Sequence, residues 1–134
     1  MNGRPPQSNA LGRWVVTPFE SADLPALARF FKRNYAGPEN YGSMGLFHWK
    51  IFDNYAGPGM IRLIKDEGRI VSVLSAAPKL LYFMGQERKV AELCDALTDS
   101  NYRRQGLFAL LDNEVTKDVM NSGIPFIYGT PNRI

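Results

Sequence analysis

Trp14, Val15 and Val16 form a short apolar run within residues 13–18, which predicts a first strand. Ser21 and Asp23 follow as alternative N-caps. Leu24, Leu27, Ala28 and Phe31 then recur at helical spacing, with Arg29, Lys32 and Arg33 on the other face. Gly37-Pro38 breaks this helix near Tyr35. A second helix is predicted over 44–53, although its apolar residues are too dense to show a clean period. Residues 54–59, ending Gly57-Pro58-Gly59, read as a loop.

Strand patterns come next. Residues 60–65 make one run, and residues 69–77, rich in Ile and Val, make another after the turn Asp66-Glu67-Gly68. Pro78 interrupts before residues 79–84 continue, which predicts a bend or bulge in one long strand, or an edge position. After Gly85-Gln86-Glu87, residues 88–98 form the fourth strand. Residues 106–121 carry the clearest helical period, with Leu107, Leu111, Val115 and Val119 one turn apart. Asn121-Ser122-Gly123 stops that helix, and residues 125–129 make a fifth strand. The order is β-α-α-β-β-β-α-β. Three strands joined by short loops form an antiparallel meander, and the final strand–helix–strand unit gives a parallel pair with a right-handed crossover. The fold class is therefore α/β with a mixed sheet.

The 134 residues, 45% hydrophobic and 22% charged, suit one globular domain over 13–134. Residues 1–12, polar and carrying Pro5-Pro6, read as a flexible tail without the apolar centre of a secretory signal. A net charge of +3, spread over scattered residues and pairs, argues against a nucleic-acid partner. No apolar stretch is long enough for a membrane span, so no membrane partner is expected. One cysteine, Cys94, and one histidine, His48, exclude an internal disulfide and a His-rich metal cluster. No metal is expected, and the lone thiol and missing signal point to the cytoplasm.

Candidate chemistry lies between the fourth strand and the last helix. A helix start leaves backbone N–H groups without partners, and its dipole adds positive potential. Arg103 and Arg104 add charge of the same sign, and Gly106 removes a side chain where backbone must approach a ligand. Without further context this is also an ordinary helix start with a turn glycine and two surface arginines.

Residues 102–108, Tyr-Arg-Arg-Gln-Gly-Leu-Phe, resemble the acyl-CoA-binding loop of the GNAT N-acetyltransferase superfamily. Arg103 and Gly106 match that pattern, whereas Phe108 stands where the superfamily usually has a small residue. One bacterial branch also has a Trp-Lys segment followed by Asn-Pro-Gly-like residues, similar to His48-Trp49-Lys50 and the 54–59 loop here. Tyr128-Gly129-Thr130-Pro131-Asn132 resembles the same branch. The likeness spans residues 13–132 and agrees with the element order.

The resemblance implies transfer of an acetyl group from acetyl-CoA to a primary amine by direct attack in a ternary complex. It implies that backbone amides of Arg104, Gln105, Gly106, Leu107 and Phe108, after the motif residue Arg103, hold the pyrophosphate. It implies that Ala96, Leu97 and Thr98 pair with the pantetheine arm, and that Asn132 meets it. A backbone amide there would polarise the thioester carbonyl. Glu92, eleven residues before Arg103, resembles the general base of histone-acetyltransferase relatives, and Asp95 resembles an acidic position of the bacterial branch. By period-two counting the two fall on opposite faces of the strand. Each is equally readable as a carboxylate satisfied by hydrogen bonds. Cys94 reads as a small buried hydrophobe, His48 as structural or surface, and Trp49 and Phe52 as core or acceptor-pocket wall.

The superfamily fold normally continues with another helix and two more strands. The resemblance therefore covers the N-terminal and CoA-binding portion, and the C-terminal strands are expected to be lacking. Three readings follow: an N-acetyltransferase acting on a small-molecule or protein amine, a non-catalytic or truncated acyl-CoA-binding module, and a weaker nucleic-acid-binding alternative. A homodimer is compatible with all of them.

Overall fold

The computed structural model describes residues 12–35 and 44–130. Strand β1 (Val16–Pro18) leads through a 3-10 turn (Ser21–Asp23) into α1 (Leu24–Asn34) and α2 (Gly45–Ile51). Then come β2 (Met60–Asp66), β3 (Arg69–Phe83) and β4 (Gln86–Thr98). A second 3-10 turn (Ser100–Tyr102) precedes α3 (Leu107–Asn121) and β5 (Ile127–Gly129). The sheet order follows the chain, β1-β2-β3-β4-β5. The first four strands are antiparallel, and β5 runs parallel to β4. The expected element order and mixed sheet are thus present.

Several local expectations are corrected. β1 is only three residues long. Trp14 precedes it and is buried, packed edge-on against Tyr102 with ring centroids 5.7 Å apart. The side chain of neither proposed N-cap closes α1. The Asp23 carboxylate turns back to accept from the Glu20 N–H at 2.9 Å and from Lys65 at 2.6 Å. The second helix is shorter than 44–53, and Trp49 is 55% exposed rather than core. Phe52 is 41% exposed and packs on Phe19 and Phe47. His48 is at the surface, beside Asp53. Gly37-Pro38 and the 1–11 part of the tail lie outside the described residues.

Pro78 sits inside a single fifteen-residue strand. β2 pairs with β3 only as far as Ala76, so Pro78 falls where β3 has become an edge on that side. This is the position where a missing N–H costs no ladder bond. The irregularity in β3–β4 pairing lies elsewhere, between Val73 and Ser75.

The core forms on both faces of the sheet. Leu107, Leu111, Val115 and Val119 of α3 pack against Ile64, Val71, Leu74, Ala76 and Ala91. Leu27, Phe30 and Phe31 of α1, with Phe47 and Ile51 of α2, pack against Leu63 and Val73 on the opposite face. Burying such apolar side chains stabilises by about 1.5–3 kcal/mol each. The Arg62–Asp118 fork, at 2.6 and 2.7 Å, ties α3 to β2. A partly buried pair of this kind, about a quarter exposed, contributes roughly 1 kcal/mol, so the apolar stripe holds α3 and the fork orients it. The helix ends in a Schellman turn: Gly123 at φ +78°, Gly123 N–H on the Met120 carbonyl and Ile124 N–H on the Val119 carbonyl. No helix among the described residues is long and apolar enough to cross a membrane.

Candidate functional site

The register of β4 creates the site. Ala91, Glu92 and Leu93 pair with Ile127, Tyr128 and Gly129, and beyond Leu93 no described β5 residue pairs with β4. On its other side β4 stays paired to β3 through Thr98. Between Cys94 and Leu97, β4 spans three steps while β3 spans two, from Ser75 to Val73. This is a β-bulge. Asp95 within it has φ +54°, a left-handed conformation uncommon for a residue with a side chain.

The divergence of β4 from β5 opens a cleft of about 630 Å³. Tyr35 and Lys50 line it from one side, Glu92, Cys94, Asp95 and Ala96 along β4, Gly129 and Thr130 along β5, and Phe108 at the start of α3. The opposite-face expectation for Glu92 and Asp95 is therefore corrected. The bulge resets the two-residue alternation, and Asp95 turns to the face of Ser75, which opposes Cys94.

The two carboxylates have different surroundings. Glu92, 18% exposed, pairs with Lys79 and receives the Thr130 hydroxyl at 3.5 Å. The pairing raises the Lys79 pKa above that of an ordinary lysine. The Asp95 side chain is 1% exposed, with Lys50 Nζ at 2.7 Å and the Ser75 hydroxyl donating at 2.6 Å. Cys94 lies between them in sequence, its Sγ 3.2 Å from Ser75 Oγ. Burial first, then the Asp95 charge, pushes its thiol up to about 11.

The loop after β4 is held rigidly. Asp99 is 4% exposed. Its carboxylate accepts from the Asn101 N–H at 3.0 Å and pairs with Arg69 at 3.3 Å, while its own N–H reaches the Val71 carbonyl at 2.9 Å. Tyr102 donates to Asp66 at 2.8 Å. Arg103 turns back, Nε 3.3 Å from the Thr98 carbonyl. Arg104 at φ +61° and Gly106 at φ +79° then swing the chain into α3. The α3 N-terminus has no side-chain cap and no acidic residue in its first turn. A Cβ at Gly106 would meet no protein atom within 4 Å, so the backbone there faces open space. Uncapped amides with an open approach make an anion site.

The remaining predicted site residues sort as follows. Ala96 is exposed in the cleft, and Leu97 and Thr98 continue β4, their backbone and side chain engaged by Ser72. The Leu107 side chain is buried in the core. Phe108 is 52% exposed at the cleft mouth. Asn132 lies outside the described residues. Sequence reasoning missed the roles of Lys50, Ser75 and Asp99. Ser75 carried a usable signal, since a hydroxyl inside an otherwise apolar central strand must find a partner.

A family model described as an acetyltransferase (GNAT) domain matches residues 16–134. The chain belongs to the GNAT acetyltransferase family. No curated protein matches it. Among solved structures it resembles a predicted acetyltransferase of Clostridium acetobutylicum, solved with acetyl-CoA, at 11% identity and a TM-score of 0.71, covering 90% of this chain and 82% of that one. Glucosamine-6-phosphate N-acetyltransferase of Arabidopsis thaliana shares 14% identity at a TM-score of 0.66, with 89% and 82% covered. An aminoglycoside 6′-N-acetyltransferase of Acinetobacter haemolyticus also shares 14% identity at 0.66, with 87% and 79% covered. At these identities the likeness speaks for the GNAT fold.

Because a pKa of about 11 leaves almost no thiolate at neutral pH, iodoacetamide should alkylate Cys94 in the folded protein slowly. At pH 7.5 the expected rate is roughly a hundredfold below that in the unfolded chain. The rate should climb with pH towards about 11. Equal rates in folded and unfolded protein would contradict the buried, neutral thiol.

Proposed function

We propose that this GNAT domain transfers the acetyl group of acetyl-CoA to a primary amine by direct attack in a ternary complex. The observation carrying this reading is that one cleft runs from the diverging β4–β5 seam to Phe108, in the first turn of a helix whose N-terminus is uncapped. The pyrophosphate sits on the backbone amides of residues 104–108. The pantetheine arm lies along β4 at Ala96, Leu97 and Thr98, and places the thioester near the bulge. The acceptor amine enters beside β5 and Thr130.

Glu92 receives the amine proton through a water. The neutral nitrogen then attacks the thioester carbon, and a β4 amide stabilises the oxyanion. That attack forms the C–N bond; collapse of the tetrahedral intermediate re-forms the carbonyl and breaks the C–S bond, and the second nitrogen proton passes to the departing CoA thiolate. Lys79 beside Glu92 orients that carboxylate. The named substrates of the structural neighbours, glucosamine-6-phosphate and aminoglycosides, are amino sugars. They make small-molecule amines the first acceptor class to assay.

Isothermal titration with acetyl-CoA separates the backbone cradle from simple charge. Gly106→Val puts a β-branched side chain at a left-handed φ, on the face open to ligand. It should weaken binding by about tenfold or more, whereas Arg104→Ala removes only a screened charge worth about two- to fivefold. The reverse order, in folded variants, would contradict the cradle.

Glu92→Gln should lower kcat about a hundredfold with little change in acetyl-CoA affinity, and should remove the acidic limb of the pH–rate profile. A wild-type profile in this variant would exclude Glu92 as the proton acceptor.

A further inference from the structure

Three elements converge on one buried carboxylate. Lys50 of α2 reaches Asp95 Oδ2 at 2.7 Å, and Ser75 of β3 donates to the same oxygen at 2.6 Å. Asp95 itself stands in the β4 bulge at φ +54°, two residues past the last β4–β5 pair. The tie therefore sits at the fork of the cleft. An Asp tolerates the left-handed region better than most residues, but the conformation still has to be held. A bulge also leaves its extra residue unpaired and the ladder locally disrupted, so side-chain contacts are what can hold that residue in place.

We infer that Asp95 is a positioning residue whose ion pair with Lys50, supported by Ser75, locks the bulge at which β4 leaves β5. The lock fixes where the β4 backbone beyond Leu93 stands against a ligand in the cleft. It also fastens α2, which lines the cleft through Lys50, to that same point. Its catalytic consequence rests on the transfer reading above: the lock sets the distance between a β4 amide and the thioester carbonyl. Asp95 is then not the proton acceptor. Both carboxylates are ion-paired, but that of Asp95 is 1% exposed, while Glu92 is 18% exposed in the same cleft.

Asp95→Asn keeps an acceptor for Ser75 and a side chain that tolerates left-handed backbone, but loses the charge. Lys50→Met removes the partner and keeps the aliphatic stem. The double variant removes both charges, and so avoids the isolated buried ion that could unfold either single variant. Steady-state kinetics over pH, and amide NMR of residues 94–97, should be recorded on all three. Each folded single variant should lose about tenfold to a hundredfold in kcat at every pH, with the shape of the profile retained. KM for acetyl-CoA should stay within about twofold, because the pyrophosphate is held elsewhere. The double variant should be no slower than the slower single. The amide resonances of residues 94–97 should move in all three.

Loss of the acidic limb in Asp95→Asn, with Lys50→Met near wild-type kcat, would overturn the lock and make Asp95 the base. Unmoved amide resonances in the double variant would overturn it as well. If the wild-type protein neither binds acetyl-CoA nor acetylates any amine tested, the transfer reading fails. The amide shifts alone then decide on the lock.

Discussion

β5 stops pairing with β4 after Leu93, and the backbone released by that divergence must be satisfied some other way. The rest of the site follows from this constraint. On the β3 side the strand is closed: Ser75 and Ser72 of β3 donate to the carbonyls of Cys94 and Leu97, and Arg103 donates to that of Thr98. The β5 side is left to the cleft, which opens along β4 beyond Leu93. It runs to the start of α3, where a second set of backbone groups lacks partners for an unrelated reason, the geometry of a helix end. Among the described residues, a strand edge that β5 no longer pairs and a helix start without a side-chain cap thus lie at the two ends of this cleft.

The scaffold makes this arrangement rigid where it matters. α3 is pressed onto the sheet by its buried apolar stripe and oriented by Arg62–Asp118. The connection from β4 to α3 is stapled by Asp99 and Tyr102. The left-handed residues Arg104 and Gly106 therefore sit in a loop whose ends cannot drift. On the opposite face, α1 and α2 bury their aromatic residues against β2 and β3, and α2 delivers Lys50 to the bulge. The two carboxylates at the cleft divide accordingly: Asp95 is 1% exposed, and Glu92 is 18% exposed.

Much of this was legible in the residues. The 3.6-residue period of Leu107, Leu111, Val115 and Val119 located α3 to within a residue. Gly106 and the paired arginines marked its start, and the family resemblance of that loop agrees with the GNAT model matched over most of the chain. The bulge was not legible. Strict alternation placed Glu92 and Asp95 on opposite faces, because no local residue type announces that β4 takes one extra step between Cys94 and Leu97. Trp49 misled for a related reason: in a helix apolar nearly all round, composition does not say which side faces the sheet. Lys50 entered only as part of the His48-Trp49-Lys50 segment, and its pairing was not legible, since its partner lies forty-five positions away and only the sheet brings them together.

Hydrogen–deuterium exchange with and without saturating acetyl-CoA tests most directly the claim that the β4 seam and the α3 start form one site. Slowed exchange should be confined to two stretches, residues 94–98 and 104–109, with β1, β2 and the far end of α3 unchanged. Protection of the helix start without any at 94–98 would contradict the account. So would protection centred outside both stretches.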